Sequence, residues 1–319
     1  MASALLEKET EIETMAEDHI PVLLQEVVEG LSPRPETRYI DATVGGGGHA
    51  KAVLAAAGAG ASLLGLDADP QALAAAHQVL QHFGDSVLLV ESNFRHLRMI
   101  AEELGFTQVE GILLDLGLSG FQLRTIGRGF SFQTDEALDM RFSPTQRLTA
   151  ADIVNTCPEQ ALADVIFRYG EEPHARRIAR RIVASRPVHT TGHFAQIIAA
   201  VVGRRGKIHP ATRTFQALRI AVNDELTALR EVLPQAIELL APSGRLAVIS
   251  FHSLEDRIVK EFFNAESRDC ICPPETPVCV CGHVARVSYL FRRARRASEA
   301  EVARNPQSRS ARLRIVIKR

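Results

Sequence analysis

Four short apolar segments alternate with helical patterns in the first part of the chain, and this alternation most constrains its fold. The apolar segments are residues 38–43, 61–69, 86–92 and 109–117, and segments with helical spacing separate them. Strands that alternate with helices of roughly 10–15 residues form parallel sheets, because each helix carries the chain back to the same end of the sheet. The sequence therefore predicts a doubly wound α/β fold.

A run of four glycines, residues 45–48, stands between the first predicted strand and its helix. Glycine is costly to order, so such a run is either a flexible linker or a backbone that approaches another group closely. The spacing Gly45-x-Gly47-x-x-Ala50, with Asp67 at the end of the next strand, matches the dinucleotide-binding fingerprint. This context excludes a linker and predicts a cofactor with an adenosine half, either NAD or S-adenosylmethionine.

Carboxylates at the ends of two other strands favour S-adenosylmethionine. Asp41 ends the first strand just before the glycines, where it can bind the amino-acid half of that cofactor. Asp115 ends the fourth strand, where a hydride-transfer enzyme would more often have a histidine or a lysine. Each acid could also be an ordinary cap of a strand end, and a nicotinamide-dependent dehydrogenase remains an alternative.

The alternation stops after residue 118 and resumes near residue 211, which predicts an insertion. Residues 119–210 contain a polar loop and then helical patterns, with no segment typical of a buried parallel strand. We therefore expect an α/β domain built from residues 19–118 and 211–319 and an inserted, mainly helical domain. Residues 1–18 carry six acids and one lysine, which is typical of a disordered acidic tail.

The formal net charge is −1, but the positive charges are concentrated in two segments. Residues 168–213 hold ten Lys and Arg against two acids, and residues 282–319 hold eleven against two. These segments predict a surface that binds a polyanion, although solvated arginine-rich helices would give the same counts. No apolar run approaches the roughly 18 residues that span a bilayer, and the acidic N-terminus does not resemble a signal peptide. We expect a cytoplasmic protein without a membrane partner.

A series of sequence blocks occurs in one order from His19 to the C-terminus: HIPVLLQEVVEGL, YIDATVGGGGHA, GLDADPQAL, GILLDLGLS, RGFSF…LDMRF, ADIVN, FRYGEE, TFQALRIAVNDEL, ISFHSLEDRIVKEFF and NP…SRSARLR. Together they resemble the bacterial 16S rRNA (cytosine-1402 N4)-methyltransferases. The resemblance implies a class I S-adenosylmethionine-dependent methyltransferase, with a Rossmann-like, mostly parallel sheet, an antiparallel C-terminal strand and an inserted helical domain. It also implies methylation of a cytidine N4 amine in the decoding region of 16S rRNA. We expect the RNA to be bound within the small ribosomal subunit, and the protein to be a monomer or a homodimer.

The resemblance also implies which residues contact S-adenosylmethionine. Carried over position by position, these are Gly47, Gly48, His49, Asp67, Phe94, Asp115 and Gln122. The strand and glycine pattern adds Asp41 and Gly45 to this set.

Methylation of a cytosine amine places specific demands on the catalytic residues. The N4 lone pair is delocalised into the ring, so the amine must be held in line with the methyl group in a dry site, with acceptors for its N–H groups. Asp115 and Ser119 are the candidate catalytic residues, and the step needs no metal. The family usually has Ser-Ser-Pro-Gln at this turn, whereas this chain has Ser119-Gly120-Phe121-Gln122 and lacks the stiffening proline.

A further group of residues is predicted to contact the RNA: Arg128, Phe130, Asp139, Arg141, Asn223, Ser250 and His252. The first four lie in the polar loop, where arginine beside aromatic rings suits stacking on a splayed-out nucleotide. A structured loop with phenylalanine in its core would give the same pattern. The histidine follows a strand and could equally be structural.

Four of the five cysteines form two C-x-C pairs, Cys270 with Cys272 and Cys279 with Cys281. They could form a four-thiolate zinc site, in which His283 could replace one ligand. The C-x-C spacing is less diagnostic than C-x₂-C, so zinc binding stays open, and we assign no metal to the reaction.

Two other functions remain open at this stage. A DNA cytosine-N4 methyltransferase would have the same glycine loop. A non-catalytic ribosome-assembly factor could keep the cofactor-binding fold, and the altered turn that begins at Ser119 would suit it.

Overall fold

The computed structural model describes residues 20–118, 127–203, 209–273, 275–276 and 278–319. The chain forms two compact units. Met1–Ser119 and Leu226–Arg319 form one, called the sheet unit below, and Gly120–Glu225 form the other, called the helical unit. The tail predicted at residues 1–18 lies outside the described residues.

Seven strands within the described ranges form the sheet of the sheet unit: β1 (Arg38–Asp41), β2 (Ser62–Asp67), β3 (Val87–Glu91), β4 (Val109–Asp115), β5 (Leu240–Ser250), β6 (Val287–Tyr289) and β7 (Arg312–Lys318). Their order across the sheet is β3-β2-β1-β4-β5-β7-β6. Strands β1 to β5 pair in parallel, whereas β7 is antiparallel to both β5 and β6. The mostly parallel sheet with an antiparallel C-terminal strand is therefore confirmed.

The α-helices of the described residues, in chain order, are α1 (Leu24–Leu31), α2 (Gly48–Ala57), α3 (Pro70–Leu80), α4 (Leu97–Glu103), α5 (Ala150–Thr156), α6 (Glu159–Gly170), α7 (Ala175–Ala184), α8 (Thr191–Val202), α9 (Thr212–Asn223), α10 (Glu225–Leu239), α11 (Ser253–Glu266) and α12 (Glu299–Arg304). Helices α5 to α9 belong to the helical unit. Within the described part of the chain, each helix is too short or too polar to span a bilayer.

Small and branched aliphatic side chains fill the core of the sheet unit. Leu63, Leu113 and Ile249 on the sheet are buried in one cluster with alanines of α2 and α3. The sequence contains no tryptophan, so close approach of the elements provides the dense packing. A Cβ added at Gly65 of β2 would lie 2.7 Å from a Leu89 methyl carbon, which shows how little space remains there.

The strand order reverses between β1 and β4. From β1 the chain continues to β2 and β3 on one side, then crosses to β4 and β5 on the other. In open parallel sheets such a reversal opens a crevice at the carboxyl ends of the strands, where ligands bind. We call this end of the sheet the carboxyl edge and the opposite end the amino edge.

The helical unit extends to Glu225, whereas we expected the insertion to end at residue 210. The difference is helix α9, which packs along α6 in the helical unit. The contact is close, because a Cβ added at Gly170 would lie 2.5 Å from the Arg213 carbonyl oxygen. The amphipathic pattern of α9 does not reveal which unit its buried face will contact.

A buried ion cluster joins α11 to β7. The Asp256 carboxylate accepts hydrogen bonds from Arg314 Nε at 2.8 Å and from Arg312 Nη1 at 2.7 Å. Asp256 and Arg314 are 5% and 9% exposed. Burial would raise the pKa of Asp256, but the bonds and charges of the two arginines outweigh it and lower that pKa.

We predict that Asp256→Ala lowers the free energy of unfolding by about 3 kcal/mol, because it leaves an arginine charge buried without its partner. Because the folded-state pKa of Asp256 is lowered, its stabilising contribution is full above the ordinary aspartate pKa of about 4. The contribution disappears as the pH falls through the lower folded value. Urea unfolding at pH 7 and pH 3 measures both effects.

The exposed Glu261 lies on the same helix and provides the control. Glu261→Ala should change the free energy of unfolding by less than about 0.5 kcal/mol. Equal losses in the two variants at pH 7 would contradict the stabilising role of the cluster.

Candidate functional site

Three aspartates lie at the carboxyl edge, each as the last residue of a strand. Asp41 ends β1, Asp67 ends β2 and Asp115 ends β4. The register pairs Asp41 with Gly65 and Leu113, so the other two aspartates each lie two residues beyond it. Side chains two residues apart on a strand point to the same face, which brings the three carboxylates to one side of the sheet.

The Asp67 carboxylate holds the glycine turn in place. Its Oδ2 accepts the Gly45 N–H at 2.9 Å, and its Oδ1 accepts the Asp69 N–H at 2.9 Å. The turn that follows β1 is thus tied to the end of β2. Gly45 and Asp67, predicted from spacing alone, are in direct contact.

The glycines of the turn face different surroundings. A Cβ at Gly47, whose φ is +83°, would lie 3.2 Å from Ala76 Cα, and one at Gly48 would lie 2.5 Å from Pro21 Cγ. A Cβ at Gly46 would have no atom within 4 Å among the described residues. Gly47 and Gly48 are therefore needed for packing, whereas Gly46 borders open space. Gly46 was not predictable as a site residue, because the fingerprint treats that position as variable.

Thr43 links the ends of β1 and β4. Its N–H donates to Asp41 Oδ1 at 3.2 Å, and its Oγ1 accepts the Asp115 N–H at 2.6 Å. Its role was not predictable either, because a single threonine after a strand gives no signal of a tertiary contact. Thr43 fixes the spacing between the first and third carboxylates of the site.

The three carboxylates share a desolvated and negative environment. Burial, with an added contribution from the charge of Asp67, raises the pKa of Asp41 to about 7. Burial also raises the pKa of Asp67 to about 6, although backbone N–H groups oppose the increase. Burial and then the charges of Asp41 and Glu255 raise the pKa of Asp115 well above its ordinary value. The site therefore favours a bound proton or a cationic ligand.

His49 connects this carboxylate group to the start of the described chain. It is 6% exposed, and its Nε2 lies 3.0 Å from the Val22 carbonyl oxygen. A carbonyl only accepts, so Nε2 carries the hydrogen of this bond. The other ring nitrogen, Nδ1, lies 3.5 Å from Asp115 Oδ2. His49 thus packs against one oxygen of Asp115 from the first turn of α2.

The segment that carries Val22 is fixed by residues near the end of the chain. The Leu23 N–H donates to Glu301 Oε1 at 2.7 Å, and Asn305 Nδ2 donates to the Ile20 carbonyl oxygen at 2.8 Å. Residues 20–23 are therefore held in place from α12 and its C-cap. The orientation of His49 depends on contacts that the local sequence around it does not contain.

One oxygen of Asp115 has no partner in the part of the chain that the structure describes. Among the described residues no group forms a hydrogen bond with its Oδ1, although that atom is buried. An unpaired buried acceptor costs about 1–3 kcal/mol. Together with the open space beside Gly46, this atom fits a ligand that brings an N–H donor or a positive charge to the carboxyl edge.

The remaining predicted cofactor and catalytic residues lie after β3 and β4. Phe94 is half-buried in a short 3₁₀ turn after β3. The chain reaches this turn through Ser92, whose N–H donates to the Asp67 carbonyl oxygen at 2.9 Å. Ser119 and Gln122 lie outside the described residues, and their roles stay predictions.

Ser250 and His252 lie at the end of β5 and have structural contacts. Ser250 Oγ donates to the Arg312 carbonyl oxygen at 3.4 Å. His252 is the N-cap of α11, where its Nδ1 accepts the Glu255 N–H at 3.4 Å and its Nε2 lies 3.0 Å from Glu255 Oε1. These contacts start the helix, and a substrate contact by either residue stays a prediction.

In the helical unit, Arg141 organises the loop that was predicted to bind RNA. Its guanidinium donates to both oxygens of Asp139, at 2.8 and 2.7 Å, and to the Gln146 carbonyl oxygen at 2.7 Å. The Arg128 guanidinium donates to the carbonyl oxygens of Arg141 at 3.0 Å and Phe142 at 2.9 Å. These bonds fold the loop.

Phe130 and Asn223 complete this loop. Phe130 is 7% exposed, and its ring centroid lies 5.7 Å from that of Phe142. Asn223 accepts the Phe142 N–H at 2.8 Å and donates to the Met140 carbonyl oxygen at 2.8 Å. All five predicted residues of the helical unit therefore belong to one internal network, and their contact with RNA stays a prediction.

Exposed arginines gather toward the carboxyl edge of the sheet unit. Strand β6 is parallel to β5 and runs toward this edge, and β7 begins there. The chain after β6 continues beside β7, where Arg295 pairs with Leu313. The connecting residues 290–311 therefore extend from the middle of β7 to the carboxyl edge, and their exposed arginines are Arg292, Arg293, Arg295, Arg296, Arg304 and Arg309. Two acids in the segment, Glu299 and Glu301, leave it with four net positive charges.

Comparison with known proteins gives one consistent result. Residues 16–319 match the MraW methylase family. A Dehalococcoides mccartyi protein named Ribosomal RNA small subunit methyltransferase H is 54% identical over 93% of this chain and 85% of its own length. Proteins of the same name from Thermomicrobium roseum and Heliobacterium modesticaldum are 54% and 52% identical, and the matches cover 92% and 98% of their lengths.

The matches extend through both units, and they agree with the fold and with the resemblance of the sequence blocks. The chain therefore belongs to the MraW methylase family of S-adenosylmethionine-dependent methyltransferases.

Proposed function

We propose that this protein transfers a methyl group from S-adenosylmethionine to the N4 amine of a cytidine in the decoding region of 16S rRNA. The observation that carries the chemistry is the Oδ1 of Asp115, which is buried without a hydrogen-bond partner among the described residues, at the point where the strand order reverses. The substrate class rests on the shared name of relatives that match 93% of this chain. The choice of the N4 amine rests on the resemblance of the sequence blocks.

The residues of the glycine turn would hold the cofactor. S-adenosylmethionine supplies an electrophilic methyl group when it is bound. The Asp41 carboxylate suits its ammonium group, and Asp67 retains acceptor capacity for ribose hydroxyls beyond its two backbone bonds. Gly46 leaves the backbone open to close approach. Phe94 and Gln122 remain part of the proposed set.

The proposed role of Asp115 is to receive an N–H group of the target amine. Oδ2 lies against His49, which leaves Oδ1 as the acceptor. Burial raises the pKa of Asp115, so its carboxylate is a stronger proton acceptor than an exposed aspartate. Ser119 is the proposed second acceptor, which matters because the nitrogen becomes tetrahedral as the bond forms.

The proposed RNA surface includes the arginines of residues 290–311, which extend to the carboxyl edge. Arginine binds phosphate through paired N–H donors and stacks on unpaired bases. In the helical unit, the loop with Arg128 and Arg141 is proposed as a second contact. Its internal bonds would present it in one preformed conformation, which lowers the entropy lost on binding.

The function is tested with labelled S-adenosylmethionine and three acceptors, namely 30S subunits, free 16S rRNA and duplex DNA. We expect N4-methylcytidine in the ribosomal RNA and none in the DNA. Asp115→Asn should reduce turnover by about 100-fold or more, and it should also weaken S-adenosylhomocysteine binding, because the resemblance places Asp115 among the cofactor contacts. Nucleoside mass spectrometry and calorimetry measure these quantities.

Each other outcome contradicts the proposal in a different way. Label in DNA but in neither ribosomal acceptor would indicate the DNA cytosine-N4 methyltransferase. Cofactor binding without transfer to any acceptor would indicate a ribosome-assembly factor. A methylated base other than N4-methylcytidine would refute the assigned target atom.

We predict that Gly46→Ala weakens S-adenosylhomocysteine binding by about tenfold or more, which corresponds to about 1.4 kcal/mol. The melting temperature of the cofactor-free protein should stay the same, because the added Cβ has open space. Gly48→Ala should lower that melting temperature, since its Cβ would lie 2.5 Å from Pro21. Unchanged affinity in a folded Gly46→Ala protein would show that this space is not part of the cofactor site.

We predict that S-adenosylmethionine binding releases protons near pH 7. The raised pKa values of Asp41, about 7, and Asp67, about 6, mean that these groups are partly protonated in the free protein. A cationic ligand favours their ionised forms, so affinity should increase from about pH 6 to pH 8. Calorimetry in buffers of different ionisation enthalpy measures the released protons.

Asp41→Asn should reduce this proton release, whereas Asp85→Asn, at an exposed position, should leave it unchanged. Proton uptake instead of release, or equal release in wild type and Asp41→Asn, would contradict the role assigned to Asp41.

A further inference from the structure

Four cysteine sulfurs meet in the segment between α11 and β6. The Sγ atoms of Cys270, Cys272, Cys279 and Cys281 all lie within 4.8 Å of one another. The Cys279–Cys281 distance is 3.5 Å and the Cys270–Cys281 distance is 3.9 Å. Both are far longer than a disulfide bond of about 2.05 Å, and all four are free thiols.

The distances suit a metal at the centre of the cluster. Zinc binds thiolates at about 2.3 Å in a tetrahedron, which places the sulfurs about 3.8 Å apart. Backbone N–H groups also point at the sulfurs, from Ile271 to Cys281 at 3.5 Å and from Val280 to Cys272 at 3.5 Å. Such bonds stabilise thiolates, because they partly offset the negative charge of a four-thiolate site.

Hydrophobic packing does not explain why the thiols are together. Among the described residues from 270 to 284, none is buried, and Ile271, Val278 and Val280 are 50%, 73% and 82% exposed. A surface segment without apolar support would not hold four side chains at one point. A coordinated metal supplies that cross-link, as it does in small metal-dependent domains.

The cluster lies far from the chemistry in the sheet. Helix α11 leaves the carboxyl edge after β5, and the segment that follows it leads into Val287 of β6. Val287 pairs with Lys318 at the amino edge, whereas Arg312 pairs with Ser250 at the carboxyl edge. The cysteines therefore lie toward the amino edge, opposite the three aspartates, and a metal there has a structural role.

We propose that Cys270, Cys272, Cys279 and Cys281 bind one structural Zn²⁺ ion through four thiolates. Four Zn–S bonds form, and each thiol that is protonated releases its proton to solvent. His283 is not needed as a ligand, because the four sulfurs that lie together complete a tetrahedral set. The ion orders the segment that joins α11 to the edge strand β6.

Metal content of the purified full-length protein tests the proposal. Elemental mass spectrometry should find about one zinc per chain, and Co²⁺ added to the metal-free protein should give the visible bands of a tetrahedral tetrathiolate. The double variant Cys279→Ser with Cys281→Ser should lose the zinc. Cys157→Ser, which changes the remaining cysteine, should retain it.

A second measurement shows that the variant has folded. The double variant should bind S-adenosylhomocysteine as the wild type does, because the cluster and the three aspartates lie at opposite ends of the sheet. Trypsin should cleave it after Arg268, which is exposed, about tenfold faster than the zinc-bound protein.

Three results would overturn the proposal. The first is that the wild-type protein contains no zinc and gives no cobalt bands. The second is that it contains iron instead of zinc, at about one atom per chain. The third is that the double variant retains zinc. Failure of the zinc proposal would leave the methyl-transfer proposal intact, because the metal assay and the acceptor assay measure separate properties.

Discussion

Three carboxylates placed close together in a desolvated crevice oppose one another's ionisation, and much of the sheet unit serves to hold them there. Backbone N–H groups restrain Asp67, Thr43 spaces Asp41 from Asp115, and His49 packs against the third carboxylate. Hydrogen bonds from the strand ends and the turn thus partly offset the unfavourable free energy of burying negative charge. A site of this kind is complementary to positive charge before any ligand arrives, which is a form of preorganisation.

The sheet was predictable because it depends on local patterns. Alternating apolar segments and helices located β1 to β4, and the last residue of three strands was the aspartate of the site. The glycine run gave the turn but not the role of each glycine, since spacing cannot show which Cβ would meet Pro21 and which would meet open space. Gly46 was missed for that reason, and Thr43 because a single threonine after a strand gives no signal of a tertiary contact. The partner of α9 depended on tertiary packing.

The residues predicted to bind RNA illustrate a different limit. Arg141, Asp139 and Asn223 have the composition of a nucleic-acid contact, and the same groups form an internal network that folds their loop. Composition cannot distinguish a guanidinium that binds phosphate from one that binds neighbouring carbonyl groups. For the cysteines, the structure strengthens the functional interpretation. The C-x-C spacing alone is a weak indication of a metal site, but the fold brings all four sulfurs together.

The contacts that hold residues 20–23 join positions that are 278 and 285 residues apart in the chain. During synthesis, Val22 and His49 leave the ribosome long before Glu301 and Asn305 are made. The support of His49 is therefore completed only when translation is nearly finished, and a nascent chain lacks it however well its first strands have paired. A premature stop codon before Glu301 would leave the glycine turn and all three aspartates in the chain, yet it would remove the support for His49. The last codons of the gene therefore influence the geometry of a site that is encoded mostly near its beginning.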